Sequence, residues 1–223
     1  MKKVSLTLIA IAAAGVSAPA MAQDRAGDIQ VKVLGTAVLP DGGIDAVNLD
    51  TFGLPAGADT KATDEVIPSF AIEYFLSNNI SIETIAGMAK HNVVGTGSLA
   101  GVELVDDLRL IPGTVTAKAH FDLGGVKPYV GAGVAYFMFF GEDEGSDLVN
   151  LGVTDADLSN EFGFALQAGV DIPVSEAGFG VSLDVKRYFI GTDATFRVGN
   201  TDIIRTEHTL DPWTISAGVT YTF

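Results

Sequence analysis

The chain has no cysteine. That excludes a disulfide scaffold and any thiolate chemistry. It is also poor in positive charge. Thirteen Lys and Arg stand against 28 Asp and Glu, for a net charge of −15. A polyanion needs a basic face, so nucleic acid is excluded as a partner. Beyond the N-terminal segment no apolar run reaches the ~18 residues of a membrane helix. The three histidines, His91, His120 and His208, lack the spacing of metal ligands. The run Gly131-x-Gly133 has Tyr136 where a third glycine would stand and no helix after it, so it is no dinucleotide loop. We expect no metal and no cofactor.

What is present is apolarity spread thinly. Hydrophobic residues make up 48% of 223, too many for a disordered chain. The length fits one domain or two small ones. At the N-terminus Lys2 and Lys3 precede an apolar core, Leu6 to Val16, and then Ala20-Met21-Ala22. This is the pattern of a signal peptide cleaved after Ala22. We therefore read 1–22 as a signal peptide and 23–223 as a single exported domain. No cysteine follows the cleavage site, so no lipoprotein anchor is expected.

The rest of the chain alternates with period two, the signature of strands with one apolar face. Ile29, Val31 and Val33 oppose Gln30 and Lys32. Phe70, Ile72 and Tyr74 oppose Glu73. Ile80, Ile82, Ala86 and Met88 oppose Ser81 and Glu83. Val115, Ala117, Ala119 and Phe121 oppose Lys118 and His120. Phe162, Phe164, Leu166, Ala168 and Val170 oppose Gln167. Phe179, Val181, Leu183 and Val185 oppose Asp184 and Lys186. Trp213 to Phe223 alternates with Thr214 to Thr222. The segment Val126–Phe140 is apolar on both faces, which completes eight strands.

The connections alternate too. Ser77-Asn78-Asn79, Gly124-Gly125 and Pro173 to Gly178 are short. Leu39 to Glu65, Asn92 to Asp107 and Gly141 to Asn160 are long, and Gly199-Asn200 turns a pair of long arms. We expect a short surface helix within Ser146 to Leu158. An even strand count with short turns at one end and long loops at the other predicts an all-β, eight-stranded antiparallel transmembrane barrel. A soluble lipocalin-like barrel shares the pattern with its faces exchanged. Aromatics at the stripe ends (Tyr74, Phe121, Phe179, Trp213, Tyr221, Phe223) and the terminal Phe favour the bacterial outer membrane.

Three motifs carry a resemblance. Lys127-Pro128-Tyr129-Val130-Gly131-Ala132-Gly133, Asp211-Pro212-Trp213 and Tyr74-Phe75-Leu76-Ser77-Asn78-Asn79 resemble segments of the outer membrane protein W family. Asn78 stands where that family usually has Asp. The resemblance implies an outer-membrane barrel and passive uptake of small hydrophobic molecules, as in the family's alkane-uptake relatives. It leaves the solute unidentified. The terminal Tyr221-x-Phe223 resembles the signal read by the barrel-assembly machinery. Outer-membrane lipid and lipopolysaccharide are the expected surroundings. Arg187 and Arg197 either meet lipopolysaccharide phosphate or snorkel at the rim.

Residues opposite the lipid stripes face the lumen. Lys32, Glu73, Glu83, Lys118, His120, Gln167, Asp184 and Lys186 fall in its periplasmic half, with three cations against three anions. Buried charges must pair, and an eight-stranded barrel is narrow enough for side chains to fill. We expect a polar plug. Leu34, Val38, Leu110, Tyr188, Ile190 and Leu210 fall above it. They are joined by Phe137 and Phe139, or by Met138 and Phe140 if the fifth strand has the other parity. This predicts an apolar pocket open to the outside. Pro40 and Pro68 are the candidate lateral gate, at the tops of the first two strands, because proline donates no ladder hydrogen bond. Pro112 could act likewise on the fourth strand.

Two other readings remain at this point. The barrel could be structural or a surface receptor, with the 39–65 loop binding a partner. An enzymatic barrel would have to draw on His91, Ser98 and Asp106 or Asp107, which lie on one loop.

Overall fold

The computed structural model describes residues 25–141 and 143–223. The expected signal peptide lies outside the described residues. The strands are β1 (Ile29–Leu39), β2 (Gly43–Asp50), β3 (Ala58–Ala62), β4 (Glu65–Phe75), β5 (Ile80–Gly87), β6 (Ala89–Gly97), β7 (Glu103–His120), β8 (Lys127–Phe140), β9 (Asp143–Glu144), β10 (Asp155–Leu158), β11 (Glu161–Pro173), β12 (Phe179–Phe189), β13 (Gly191–Val198), β14 (Thr201–Thr209) and β15 (Trp213–Thr222). One short helix, α1 (Ser146–Asn150), packs beside β7.

Eight strands close a ring in the order β1, β4, β5, β7, β8, β11, β12, β15 and back to β1, each neighbour antiparallel. β6 continues β5 upward along β7. Chain reversals at the lower end are tight. Gly124 and Gly125, at φ 72° and 101°, take a left-handed turn that residues with a Cβ resist.

Side-chain parity then settles which face meets solvent. Phe70 and Phe162 are 60% and 77% exposed, while Glu73 and Lys118 are 0% and 1% exposed. An apolar exterior around a charged interior is the arrangement lipid satisfies and water does not. The expected lower aromatic girdle is present, with Phe179, Tyr221 and Phe223 in successive ring contacts at 4.9 and 5.8 Å. The fifth strand takes the odd parity: Phe137 and Phe139 are buried, and Met138 faces out.

The upper part departs from the sequence expectation. The stretches read as loops carry further strands. A second sheet, in the order β10, β13, β14, β2, stands above the barrel, and β3 pairs with β6. Its inner face is Thr192, Ala194 and Phe196, alternating with Asp193, Thr195 and Arg197 outside. The helix expected within Ser146 to Leu158 is confined to α1, because Asp155–Leu158 pairs with β13 instead. The expected long last strand is broken at Asp211, whose φ is 34°. There the Asp211 carboxylate accepts the Ile190 N–H at 2.8 Å, and the Pro212 carbonyl accepts the Tyr188 N–H at 3.0 Å. The Asp-Pro-Trp motif is thus a corner where barrel becomes upper sheet.

Candidate functional site

The lower lumen is filled by charge. Lys118 Nζ lies 2.7 Å from Glu73 and 2.9 Å from Glu83. Lys32 Nζ lies 2.9 Å from Glu73, 3.2 Å from Glu83 and 3.3 Å from Asp171. Lys186 Nζ meets Glu83 at 3.0 Å. The Gln167 amide donates one hydrogen to Glu83 (2.9 Å) and one to Asp184 (2.6 Å). His120 Nε2 reaches Glu73 at 2.8 Å. All eight residues expected in the plug are buried there. Asp171 and Tyr129 join them. Tyr129 donates to Asp184 at 2.7 Å and carries Lys118 Nζ over its ring at 3.7 Å. The expected three-against-three balance is therefore corrected to three lysines against four carboxylates. Asp171 shares the parity of Gln167 on β11 and was readable on that ground.

Above the charges the lumen turns apolar. Leu110, Phe137, Phe139, Tyr188 and Ile190 belong to one buried cluster, with Leu210 packed against it. Phe137 stacks obliquely on Tyr188 at 5.3 Å. Leu34 is also buried. The open space lies one layer higher than the sequence placed it. A cavity of about 60 Å³ is lined by Leu104, Leu108, Leu158, Ala194 and Phe196, with Phe139 and Leu210 at its base and Pro40 at its rim. Of the eight expected pocket residues, only Phe139 and Leu210 line it. The others fill the neck below, as side chains do in a barrel this narrow. His208 on β14 also lines the cavity. Its ring nitrogens are engaged by Thr60 and Thr206, and burial pushes its pKa below the ordinary histidine value.

Among the described residues the wall has a weak seam on the β5 side of Pro68. Between β1 and β4 the ladder runs through Gly35–Pro68 and on to Val38–Glu65. Pro68 is three residues short of the top of that ladder. Having no N–H, Pro68 forms a non-hydrogen-bonded pair with Gly35, so its own backbone edge faces β5 and β6. On that side the β4–β5 ladder stops at Ser69–Gly87. Continuing the register would pair Pro68 with Met88, a pair that lacks its donor. On the other flank the β5–β7 ladder stops at Ile85–Thr114, and the β6–β7 ladder starts at Ala89–Leu110. Between them Gly87 would pair with Pro112, again without a donor. The strand between two prolines thus loses a ladder bond on each side. Val38, Ile67 and Ala89 form a small apolar cluster inside the seam. Higher up the walls rejoin: Thr63 N–H donates to the Asn92 carbonyl at 3.0 Å, and His91 Nδ1 meets the Thr63 carbonyl at 2.7 Å.

The sequence profile of the OmpW family matches residues 25–223. The chain belongs to the OmpW family. An uncharacterized outer-membrane protein of Sinorhizobium fredii is 37% identical over 195 residues, covering 87% of this chain and 79% of that one. The dibenzothiophene metabolism operon protein PahQ of Pseudomonas aeruginosa is 31% identical over 165 residues, covering 73% of this chain and 74% of that one. The crystal structure of the outer membrane protein OprG from Pseudomonas aeruginosa superposes with a TM-score of 0.81. It has 24% identity and covers 91% of this chain and 99% of that one. This OmpW-family barrel resides in the bacterial outer membrane and is not an enzyme. The residues an enzyme would have drawn on have other partners. His91 is bound to Thr63, Ser98 Oγ donates to the Pro55 carbonyl at 3.4 Å, and Asp107 pairs with Lys90.

Family motifs take on local roles here. Lys127-Pro128-Tyr129 starts β8 at the periplasmic mouth and delivers Tyr129 to the plug. Gly131 leaves room for Lys118 and Gln167: a Cβ there would sit 3.0 Å from Lys118 Cγ and 3.3 Å from Gln167 Oε1. Gly169 is as constrained, since a Cβ there would collide with Tyr129 Oη and the Leu183 carbonyl. Gly169→Ala should displace Tyr129 from Asp184 and cost about 1–3 kcal/mol, as overpacking does. The check is the urea midpoint of unfolding in lipid vesicles. Arg187, one of the two rim arginines, lies over Trp213 at 5.2 Å and meets Asp41 at 3.2 Å. Arg197 is held on the upper sheet by Asp155, Asp157 and Asp202, which raise its pKa.

Proposed function

We propose that this barrel carries small hydrophobic molecules from outside into the outer-membrane bilayer by lateral exit. The observation that supports the reading most is the stacking of an apolar cavity over a charged plug, beside a seam in the wall. A solute entering the upper cavity meets Phe139 and Leu210. Below lie paired charges, and displacing them would leave buried ions uncompensated. The route of least cost runs sideways past Leu110, which pairs with Ala89, and out between β4 and β6. There the solute displaces Val38, Ile67 and Ala89 and breaks no ladder bond. The relative in a dibenzothiophene metabolism operon fits a cargo of this chemistry. The reading includes export by a signal peptide cleaved after Ala22 and recognition of Tyr221–Phe223 during assembly.

The test is uptake of a labelled hydrocarbon by cells with and without the protein. Uptake should rise with the protein and stay raised in Arg197→Gln, which touches neither cavity nor seam. Ala194→Phe, which fills the cavity, should bring uptake back toward the level of cells lacking the protein. Equal uptake with and without the protein overturns the reading. Loss of a partner's binding after deletion of 39–65, with uptake unaffected by the protein, would establish the receptor role instead.

A further inference from the structure

Asp184 differs from the other carboxylates of the plug. Glu73, Glu83 and Asp171 each have a lysine within 3.3 Å. Asp184 has no lysine, arginine or histidine within ion-pair distance among the described residues, although it is only 5% exposed. Both of its hydrogen bonds fall on one oxygen: Oδ2 accepts from Tyr129 and from Gln167. That oxygen must be unprotonated to accept both. The Gln167 orientation is fixed, because its amide nitrogen bridges two carboxylates. Oδ1 has no partner, so a proton there would find no acceptor in the protein. Asp184 is therefore buried with one oxygen unsatisfied, a state that burial penalises unless something compensates it.

Its neighbour supplies a second unsatisfied oxygen. Ser182 lies two residues away on the same inward face of β12, is 1% exposed, and its Oγ also has no partner. Opposite Ser182 on β15 stands Gly218, which contributes no side chain to the lumen. On its other flank Ser182 pairs with Asp171. Asp171, Gln30, Gly180 and Thr220 are among the residues lining a polar cavity of about 310 Å³ at the periplasmic mouth. The mouth carries both signs of charge, Arg25 and Lys127 with Asp28 and Glu176, so it presents no cationic barrier. Lys186, the charged group nearest along β12, is committed to Glu83 at 3.0 Å.

We propose that Asp184 Oδ1 and Ser182 Oγ bind a small monovalent cation, of the Na⁺ or K⁺ class, entering from the periplasmic mouth. An oxygen-only pair with one negative charge suits a hard monovalent ion. The ion brings the plug to four positive charges against four negative ones. The site needs no passage through the barrel, and it stands or falls independently of solute uptake.

The test uses the folded, signal-free barrel in detergent micelles. Thermal unfolding is followed in NaCl, KCl and choline chloride at matched ionic strength. Na⁺ or K⁺ should stabilise saturably and choline should not. Asp184→Asn should abolish the ion-specific shift. Ser182→Ala should raise the half-saturating concentration about tenfold, the loss expected for one contact to a charged group. Ser182 Oγ makes no hydrogen bond within the protein, so this variant keeps the plug intact if Asp184→Asn fails to fold. Identical unfolding in all three salts, as water alone would give, overturns the proposal. So does an ion-specific shift that Ser182→Ala leaves unchanged.

Discussion

Replacing Glu73 and Glu83 together by Gln should abolish the heat resistance of the folded barrel. Lys118 loses both of its carboxylates and Lys186 its only one, while Lys32 keeps Asp171 alone. Breaking one buried pair costs about 3–5 kcal/mol, because the remaining charge stays buried without compensation. Two such losses approach the whole stability of a typical domain. The folded barrel should lose its distinct gel mobility at a lower temperature, and vesicles holding the variant should conduct ions more readily. Adding Lys186→Met should recover part of the loss, since it removes one stranded charge and keeps an aliphatic stem. Unchanged heat resistance and conductance would mean that the two carboxylates do not hold the plug together.

The second large effect concerns the outer face. Leu183 lies on the lipid side, 44% exposed, and pairs with Ala217 midway between Trp213 and Tyr221 on β15. Arginine there should cost roughly 2–4 kcal/mol, and arginine at Phe179 in the lower girdle only about 0–1 kcal/mol. Refolding into vesicles across a urea series measures both. Equal costs at the two depths would contradict the placement of the apolar band.

Much of this was legible in the sequence, because a barrel encodes its two faces with period two. Once the apolar stripe is assigned to lipid, the lumen follows by subtraction, and every charged plug residue expected on that rule is buried. Asp171 obeys the same rule, four residues beyond Gln167 on β11. The parity of β8 was not legible, since Ala, Tyr and Phe occupy both faces. The odd choice rests on Gly131 and Gly133, where a side chain would collide with the neighbouring strand. The upper sheet escaped because its strands are short and rich in Asp and Thr. Their pairing depends on partners far away in sequence, such as β2 with β14. The cavity moved upward for the same reason: its walls are those unforeseen strands. Pro68 interrupts the ladder toward β5 and leaves the one toward β1 continuous. Which edge of a strand a proline weakens depends on hydrogen-bond phase, and that is set by register with both neighbours.

The absence of native cysteine permits a direct test of the seam. Ile67 and Ala89 both face inward on either side of it and touch in one cluster. They are the next inward-facing pair when the register is continued above Ser69–Gly87. Ile67→Cys with Ala89→Cys would close the gap when oxidised and free it when reduced. In vesicles holding this variant, transfer of a labelled hydrocarbon into the bilayer should fall to the protein-free rate on oxidation and recover with dithiothreitol. Equal transfer in the oxidised and reduced states, with the disulfide verified by mass, would contradict lateral exit between β4 and β6.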